Sequence, residues 1–369
     1  MYYIRFLKQP LAGNISNQYL TLNAVITLTS DLGETTFPED AQLRAYLTID
    51  GSHNDEKIAK ESVTWTASAY SLPIHISFSI KQLRKQTSFR VKIEPEQGCR
   101  GTIEGDDHAL VLPHLLPTIS APFKPLEKSS VADSLAQRPI PLYGTSSPLA
   151  VWEDTGPSID RHVWDAGIGI CGLLSRLLNE PTPAHLPSLA TIIRKRSTLR
   201  AIELGTGVGL VGIALAHLRY AHSTGATKML LTDVESARPL AERNVAELVR
   251  IGAMKDLAQV ACSFLALDWE AALPVAVAEQ AFDVVLVSDC TYNPDSGLAL
   301  VRTLTALAQR SEGLLVMVAS KQRHESEAVF WERMKDARFI VVDRLTIKAP
   351  MGLNEEDEPE MIAVHLFKY

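Results

Sequence analysis

Four acidic residues close or directly follow apolar runs in the second half of the chain: Glu203, Asp233, Asp268 and Asp289. Glu203 belongs to residues 199–212, L-R-A-I-E-L-G-T-G-V-G-L-V-G, where glycines at alternate positions (Gly205, Gly207, Gly209) separate a short apolar run from a series of helix formers. That pattern predicts a buried strand, a tight turn and a helix start. Glycines there let a ligand lie against bare backbone, with the amides and the helix N-terminus facing it. Glu203, two residues before the first glycine, sets the sign of that ligand. A carboxylate at the strand end repels a pyrophosphate but suits a molecule carrying an ammonium and a sulfonium, so S-adenosylmethionine is the expected cofactor.

A nicotinamide dinucleotide is the alternative. Residues 207–212 read G-V-G-L-V-G, a GxGxxG, and Asp233 follows at about the distance of a ribose-binding acid. Both ligands carry a ribose, so Asp233 fits either one. Three features favour the methyl donor: the charge of Glu203; the Asp268-Trp269 pair after the next strand, an acceptor for an adenine amino group beside an indole to cover the ring; and an antiparallel ending to the sheet. The plainer roles are a solvated strand end for Glu203, and a capping acid with a core ring for Asp268 and Trp269.

Asp289-Cys290-Thr291-Tyr292 follows a nearly all-apolar run ending at Ser288. With E-L-G-T-G-V-G, then D-W, then D-x-x-Y, and a preceding V-W-D-A-G at residues 163–167, the chain from 151 to 369 resembles the seven-strand protein-lysine methyltransferases of methyltransferase family 16. The resemblance implies that Glu203, Gly205, Gly207 and Gly209 hold the methionine end of the cofactor, Asp233 the ribose, and Asp268 with Trp269 the adenine. Trp164 and Ser288 are placed with the cofactor residues. Asp289 and Tyr292 are the expected catalytic pair at the mouth where the acceptor amine enters. A helix cap followed by a packed ring is their structural alternative. The segment K-Q-R-H-E-S-E at 321–327 also looks like a family segment, and a helix N-cap is its plainer explanation.

The implied reaction aligns an already activated sulfonium with a neutral nucleophile, mainly by positioning, and requires no metal. A lysine at pH 7 must first lose its proton, at a cost of about 4.6 kcal/mol from an ordinary pKa near 10.4. A partly dry channel with an aromatic wall lowers that cost, with Asp289 orienting the amine and Tyr292 contacting it. Cys290 has no histidine near it in sequence and reads as a small buried thiol. Other amines or a histidine are alternative acceptors, and a scaffold that keeps the fold without catalysis is a further alternative. Translation factors are substrates the resemblance suggests.

The elements that must position these residues follow from periodicity. Residues 151–369 alternate strand and helix signals and predict an α/β fold, a doubly wound, mostly parallel seven-stranded sheet of the class I methyltransferase (Rossmann-like) kind, closed by two antiparallel strands across an acidic loop with Glu355 to Glu358. Residues 1–110 show period-two β-branched and aromatic runs and predict a separate, sandwich-like all-β domain. Residues 111–150, with Pro113, Pro117, Pro122, Pro125, Pro139, Pro141 and Pro148, predict an irregular connector. Pro181, Pro183 and Pro187 end the first helix, and Arg194-Lys195-Arg196 reads as a solvated helix end.

The composition is that of a globular chain: 369 residues, 46% hydrophobic and 21% charged. A net charge of −7 disfavours nucleic acid as partner and leaves small molecules and proteins. Cys99, Cys171, Cys262 and Cys290 are far apart, so reduced thiols and no disulfide are expected. His53, His75 and His108 lack metal-ligand spacing. The chain starts without the apolar core of a signal peptide and has no run of the ~18 apolar residues a membrane helix requires. A monomer in the cytosol, with the nucleus as the alternative, is expected to act on a protein.

Overall fold

Period-two segments near the N-terminus pair into two sheets in the computed structural model, which describes residues 1–51, 57–82, 88–96, 112–127, 131–145, 148–156, 161–180, 185–250, 260–324, 327–349 and 360–369. His53, Cys99, His108, Pro181, Pro183 and the acidic loop around Glu355 lie outside the described residues. The strands are β1 (Tyr2–Ser16), β2 (Tyr19–Ser30), β3 (Ala41–Ile49), β4 (Lys57–Trp65), β5 (Leu72–Ser79), β6 (Phe89–Pro95), β7 (Leu115–Leu116), β8 (Thr118–Ser120), β9 (Leu135–Ile140) and β10 (Leu149–Asp154). One sheet has the order β5-β2-β1-β7 and the other β10-β9-β8-β6-β3-β4. Alternation sets the buried face: Ile74, Ile76 and Phe78 of β5 are buried, with His75 and Ser77 exposed between them. They stand opposite Ala24, Leu22 and Leu20 of β2.

Residues 111–150 correct the expectation of an irregular connector, because β7, β8 and β9 all fall there, β7 joining the first sheet and β8 and β9 the second, which β10 extends. The prolines misled because one of them is compatible with a strand. Pro139 in β9 pairs with Ala150, while β8 pairs only with Ala136 and Gln137, so the missing N–H costs no ladder bond on that side. The buried positions of β9 also include two polar residues, Gln137 and Arg138. Arg138 is fully buried, donates from Nε to Glu153 at 2.6 Å, and donates from Nη1 to the carbonyl oxygens of Ile4 and Pro117. A buried charge of this kind persists because it is paired.

After α1 (Asp165–Asn179) and α2 (Pro187–Ile193), strand and helix alternate: β11 (Leu199–Leu204), α3 (Leu210–Ala221), β12 (Thr227–Asp233), α4 (Arg238–Arg250), β13 (Val260–Ala266), α5 (Val275–Ala278), β14 (Val284–Ser288), α6 (Pro294–Ala308), β15 (Leu315–Lys321), α7 (Ala328–Asp336), β16 (Ile340–Ala349) and β17 (Glu360–Lys368). The sheet order is β13-β12-β11-β14-β15-β17-β16. The first five strands run parallel, β17 is antiparallel to β15, and β16 is antiparallel to β17. Both faces are covered, so β14 is apolar from Val284 to Val287, before Ser288 at its end. Val284 and Leu286 join the core under α1 and α3, while Val285 and Val287 join the core under α6 and α7. The order reverses between β11 and β14, and their carboxyl ends open the crevice where such folds bind ligands.

The β sheets are joined to this layer by hydrogen bonds as well as a shared core. Asn244 of α4 accepts from the Trp152 amide at 2.7 Å and donates to the carbonyls of Trp152 and Val208. Among the described residues no helix is long and apolar enough to cross a membrane.

Candidate active site

The crevice between β11 and β14 is a cleft of about 690 Å³, counted to its open mouth, and Trp164, Glu203, Gly205, Gly207, Asp233, Trp269, Ser288, Asp289 and Tyr292 all line it. β11 delivers Glu203 to the floor, where it is 2% exposed. Its Oε2 accepts from Thr206 Oγ1 at 2.5 Å and from the Gly212 amide at 2.9 Å, in the first turn of α3. β12 delivers Asp233, whose Oδ2 accepts from the Gly207 amide at 2.8 Å. Two amides that could cradle a phosphate are therefore already paired with protein carboxylates. The floor carries negative charge, which suits a cation and disfavours a pyrophosphate.

Burial pushes the Glu203 carboxyl up to about 7, against the pull of Thr206 and Gly212 and with a small push from Asp233. A cationic group arriving beside it would return it to the ionised form.

The turn needs glycine at two places for different reasons. Gly205 has φ +66°, and a Cβ there would collide with Cys290 Sγ and press on the Trp269 ring. Gly209 has φ +84° and precedes α3; it does not line the cleft, and a Cβ would meet Ile213 at 2.9 Å. Asp268, like Gly209, does not line the cleft. It is exposed and its Oδ1 accepts from the Glu270 amide at 2.9 Å, closing a turn, while the neighbouring Trp269 does face the cleft.

At the other end, Asp289 directly follows β14 in a left-handed conformation, φ +53°. It is 8% exposed; Oδ2 accepts from the Ala166 amide at 3.1 Å at the start of α1, and Oδ1 accepts from the Lys321 amide at 3.1 Å and Arg323 Nη1 at 3.0 Å. Burial raises its carboxyl above the usual range, although Arg323 and the two amides oppose that shift. Tyr292 is 52% exposed at the mouth. Cys290 is buried, its Sγ facing the Ser288 carbonyl, and burial followed by the charges of Asp233, Asp289 and Glu203 drives its thiol well up. It is not an activated nucleophile.

Sequence reading missed several contributors. His162 lines the cleft, with Nε2 2.9 Å from the Gly156 carbonyl, and burial lowers its pKa. Its place two residues before Trp164 was the available signal. Thr206 was the unmarked residue inside the glycine turn. Arg323 and Asp31, which surround Asp289, lie in unrelated stretches. In the 321–327 segment Glu327 takes the N-cap position of α7 but makes no side-chain cap bond to it; its Oε1 instead accepts from the preceding amides of Arg323 and His324.

One polar atom marks the space a ligand would fill. Ser288 Oγ is buried at the cleft wall with no hydrogen-bond partner. An unpaired buried hydroxyl, a glycine cradle and a carboxylate floor together fit an aminoacyl nucleoside with a positive centre.

Sheet order, antiparallel ending and the position of this cleft define a class I methyltransferase fold. Residues 144–337, more than half of the chain, match the model of the lysine methyltransferase family. The chain belongs to the lysine methyltransferase family and is a methyltransferase enzyme of that kind. A UPF0665 family protein of Schizosaccharomyces pombe is 27% identical over 333 residues, covering 89% of this chain and 91% of that protein. The protein-lysine N-methyltransferase EFM6 of Saccharomyces cerevisiae is 29% identical over 214 residues, 55% of this chain and 81% of its own length. The protein N-lysine methyltransferase METTL21A of Danio rerio is 27% identical over 228 residues, 62% of this chain and 85% of its own.

Proposed function

We propose that the chain moves the methyl group of S-adenosylmethionine to the ε-amine of a lysine in a protein, with the donor in the cleft between β11 and β14 and the lysine entering past Tyr292. The observation that carries this reading is the pairing of the Gly207 and Gly212 amides with Asp233 and Glu203, which leaves a negative floor under a glycine turn. When bound, the cofactor supplies a methyl group already activated by the positive sulfur.

The chain's own residues do the rest. Glu203 balances the ammonium of the methionine end, and Asp233 keeps lone pairs for ribose hydroxyls while its Oδ2 holds Gly207. Trp269 covers the base, and Ser288 Oγ gains a partner. Tyr292 offers a ring and a hydroxyl to an amine at the mouth, where a partly desolvated surface favours the neutral nucleophile. Asp289, with its oxygens engaged by Ala166, Lys321 and Arg323, shapes that mouth and contributes negative potential to it. A protein acceptor, met by a monomer of net charge −7, fits better than nucleic acid.

The test is incubation of the purified chain with methyl-tritiated S-adenosylmethionine and a lysate of cells lacking it, followed by acid hydrolysis and amino-acid separation. Label co-eluting with methylated lysine is expected. Label in methylhistidine alone, or none above the no-enzyme control, overturns the proposal.

A further inference from the structure

Asp289 sits in a backbone conformation that a non-glycine residue keeps only when its surroundings hold it there. Two of its three side-chain partners are main-chain amides, those of Ala166 and Lys321. The third is the guanidinium of Arg323, and this group is shared. Nη1 donates to Asp289 Oδ1 at 3.0 Å, and Nη2 donates to Asp31 Oδ2 at 2.7 Å, across 292 residues of sequence. The guanidinium carbon also lies 5.3 Å from the centre of the Trp164 ring, which lines the cleft.

Asp31 directly follows β2, in the N-terminal sheets, and is 2% exposed. It is itself tightly held. Its Oδ1 accepts from Lys321 Nζ at 3.2 Å and from the Leu32 amide at 2.9 Å, and its carbonyl accepts from Arg5 Nη2 at 2.7 Å. Burial works against its charge, but Arg323 and Lys321 win and keep its carboxyl below the usual range. Lys321 Nζ continues the chain to Asp165 at 2.9 Å and to Glu360, and Asp165 also accepts from the Tyr3 hydroxyl at 2.7 Å. The planar fork of an arginine suits this arrangement, since it can bridge two carboxylates in a fixed geometry.

We propose that Asp31 is a positioning residue for methyl transfer: it fixes the Arg323 fork, which holds Asp289 in place and covers Trp164, so that the N-terminal β sheets complete the acceptor end of the site. This inference rests on the methyl-transfer reading above. Arg323 Nη1 also donates to the Lys321 carbonyl at 3.2 Å, so without Asp31 the fork keeps its Nη1 bonds and loses the Nη2 bond that fixes its plane against Asp289. The charged and titratable groups around Asp289 are Arg323 in contact, Lys321, Asp31 and Asp165 beyond it, and Glu203, Asp233 and His162 lining the same cleft. Loss of the Arg323 charge leaves the buried carboxylate uncompensated, which favours its protonated form and moves the acid side of the rate profile to higher pH.

The experiment compares full-length wild type, Asp31→Asn, Arg323→Gln and the double variant, reading cofactor affinity by titration with S-adenosylmethionine and the rate of label transfer into the lysate across pH. The expected result for each single variant is cofactor affinity within about twofold of wild type and transfer slowed about tenfold; the acid limb moves upward by about half a pH unit or more in Arg323→Gln, and not upward in Asp31→Asn, which removes a negative charge and keeps the guanidinium. The double variant transfers within about twofold of Arg323→Gln alone, because Asp31 acts through Arg323. Wild-type rates in Asp31→Asn, an unmoved limb in Arg323→Gln, or independent multiplication of the two effects each overturn the inference. If Asp31→Asn does not fold, the Arg323→Gln profile decides, and an unmoved limb overturns it. A wild-type protein that transfers no label removes the methyl-transfer reading and this inference together, whereas an active wild type with an unaffected Asp31→Asn removes this inference alone.

Discussion

At the glycine-turn end of the cleft, Glu203, Thr206, Gly207 and Gly212 lie within nine residues of one another and make their hydrogen bonds locally or to Asp233 on the adjacent strand. At the acceptor end, Asp289 depends on the start of α1, on the segment after β15 and, through Arg323, on the turn after β2. The first end is a compact module built by one strand, one turn and one helix. The second is assembled from four distant stretches, one of which belongs to the N-terminal β sheets. A cofactor site common to many reactions can be carried by local geometry, while the part that meets a particular acceptor draws on the whole chain.

Removing the charge at the local end has the largest expected effect. Glu203→Gln lowers affinity for S-adenosylmethionine about 10- to 100-fold in calorimetric titration, the range for losing a charged hydrogen-bonded partner. It also removes a pH dependence. With the Glu203 carboxyl raised to about 7 and driven to ionise by a cationic ligand, wild-type affinity rises about tenfold from pH 6 to pH 8, whereas Glu203→Gln stays flat. For the protein without cofactor the sign is opposite. A carboxyl whose folded pKa lies above its unfolded one binds extra protons when folded, so its contribution to stability is greatest at low pH and is lost as pH rises through about 7. A pH-independent wild-type affinity would mean that Glu203 does not face the positive end of the ligand.

Substitutions at the mouth have smaller effects and separate the two ends. Tyr292 is half exposed, so Tyr292→Ala leaves cofactor affinity unchanged and raises the apparent KM for the protein acceptor about tenfold, the scale of a lost contact between a ring and a cation. Tyr292→Phe keeps the ring and costs about threefold, the scale of one hydrogen bond. Loss of cofactor affinity in Tyr292→Ala would erase the distinction between the ends.

The same contrast governs what the sequence disclosed. The strand, turn and helix around Glu203 were legible because apolar period and glycine spacing are local, as was the alternation that gives the seven-stranded sheet with its antiparallel close. β9 was not, since its buried side chains include Gln137 and Arg138, and the partners of Arg138 (Glu153, Ile4 and Pro117) come from other stretches of the chain. Asp268 reads as a ligand of adenine because it neighbours Trp269; in the fold its exposed carboxylate bonds the Glu270 amide, while Trp269 lines the cleft. Arg323 stood in a segment whose chemistry spacing could not assign, and nothing near Asp31 in sequence shows that it faces Asp289 through one guanidinium.

Mass spectrometry of the whole proteome, comparing cells that have this chain with cells that lack it, tests the central claim most directly. The prediction is at least one protein lysine whose methylation is lost without the chain and restored by the wild type, but not by Glu203→Gln. An unchanged set of methylated lysines, or a lost mark that Glu203→Gln restores in full, would contradict it.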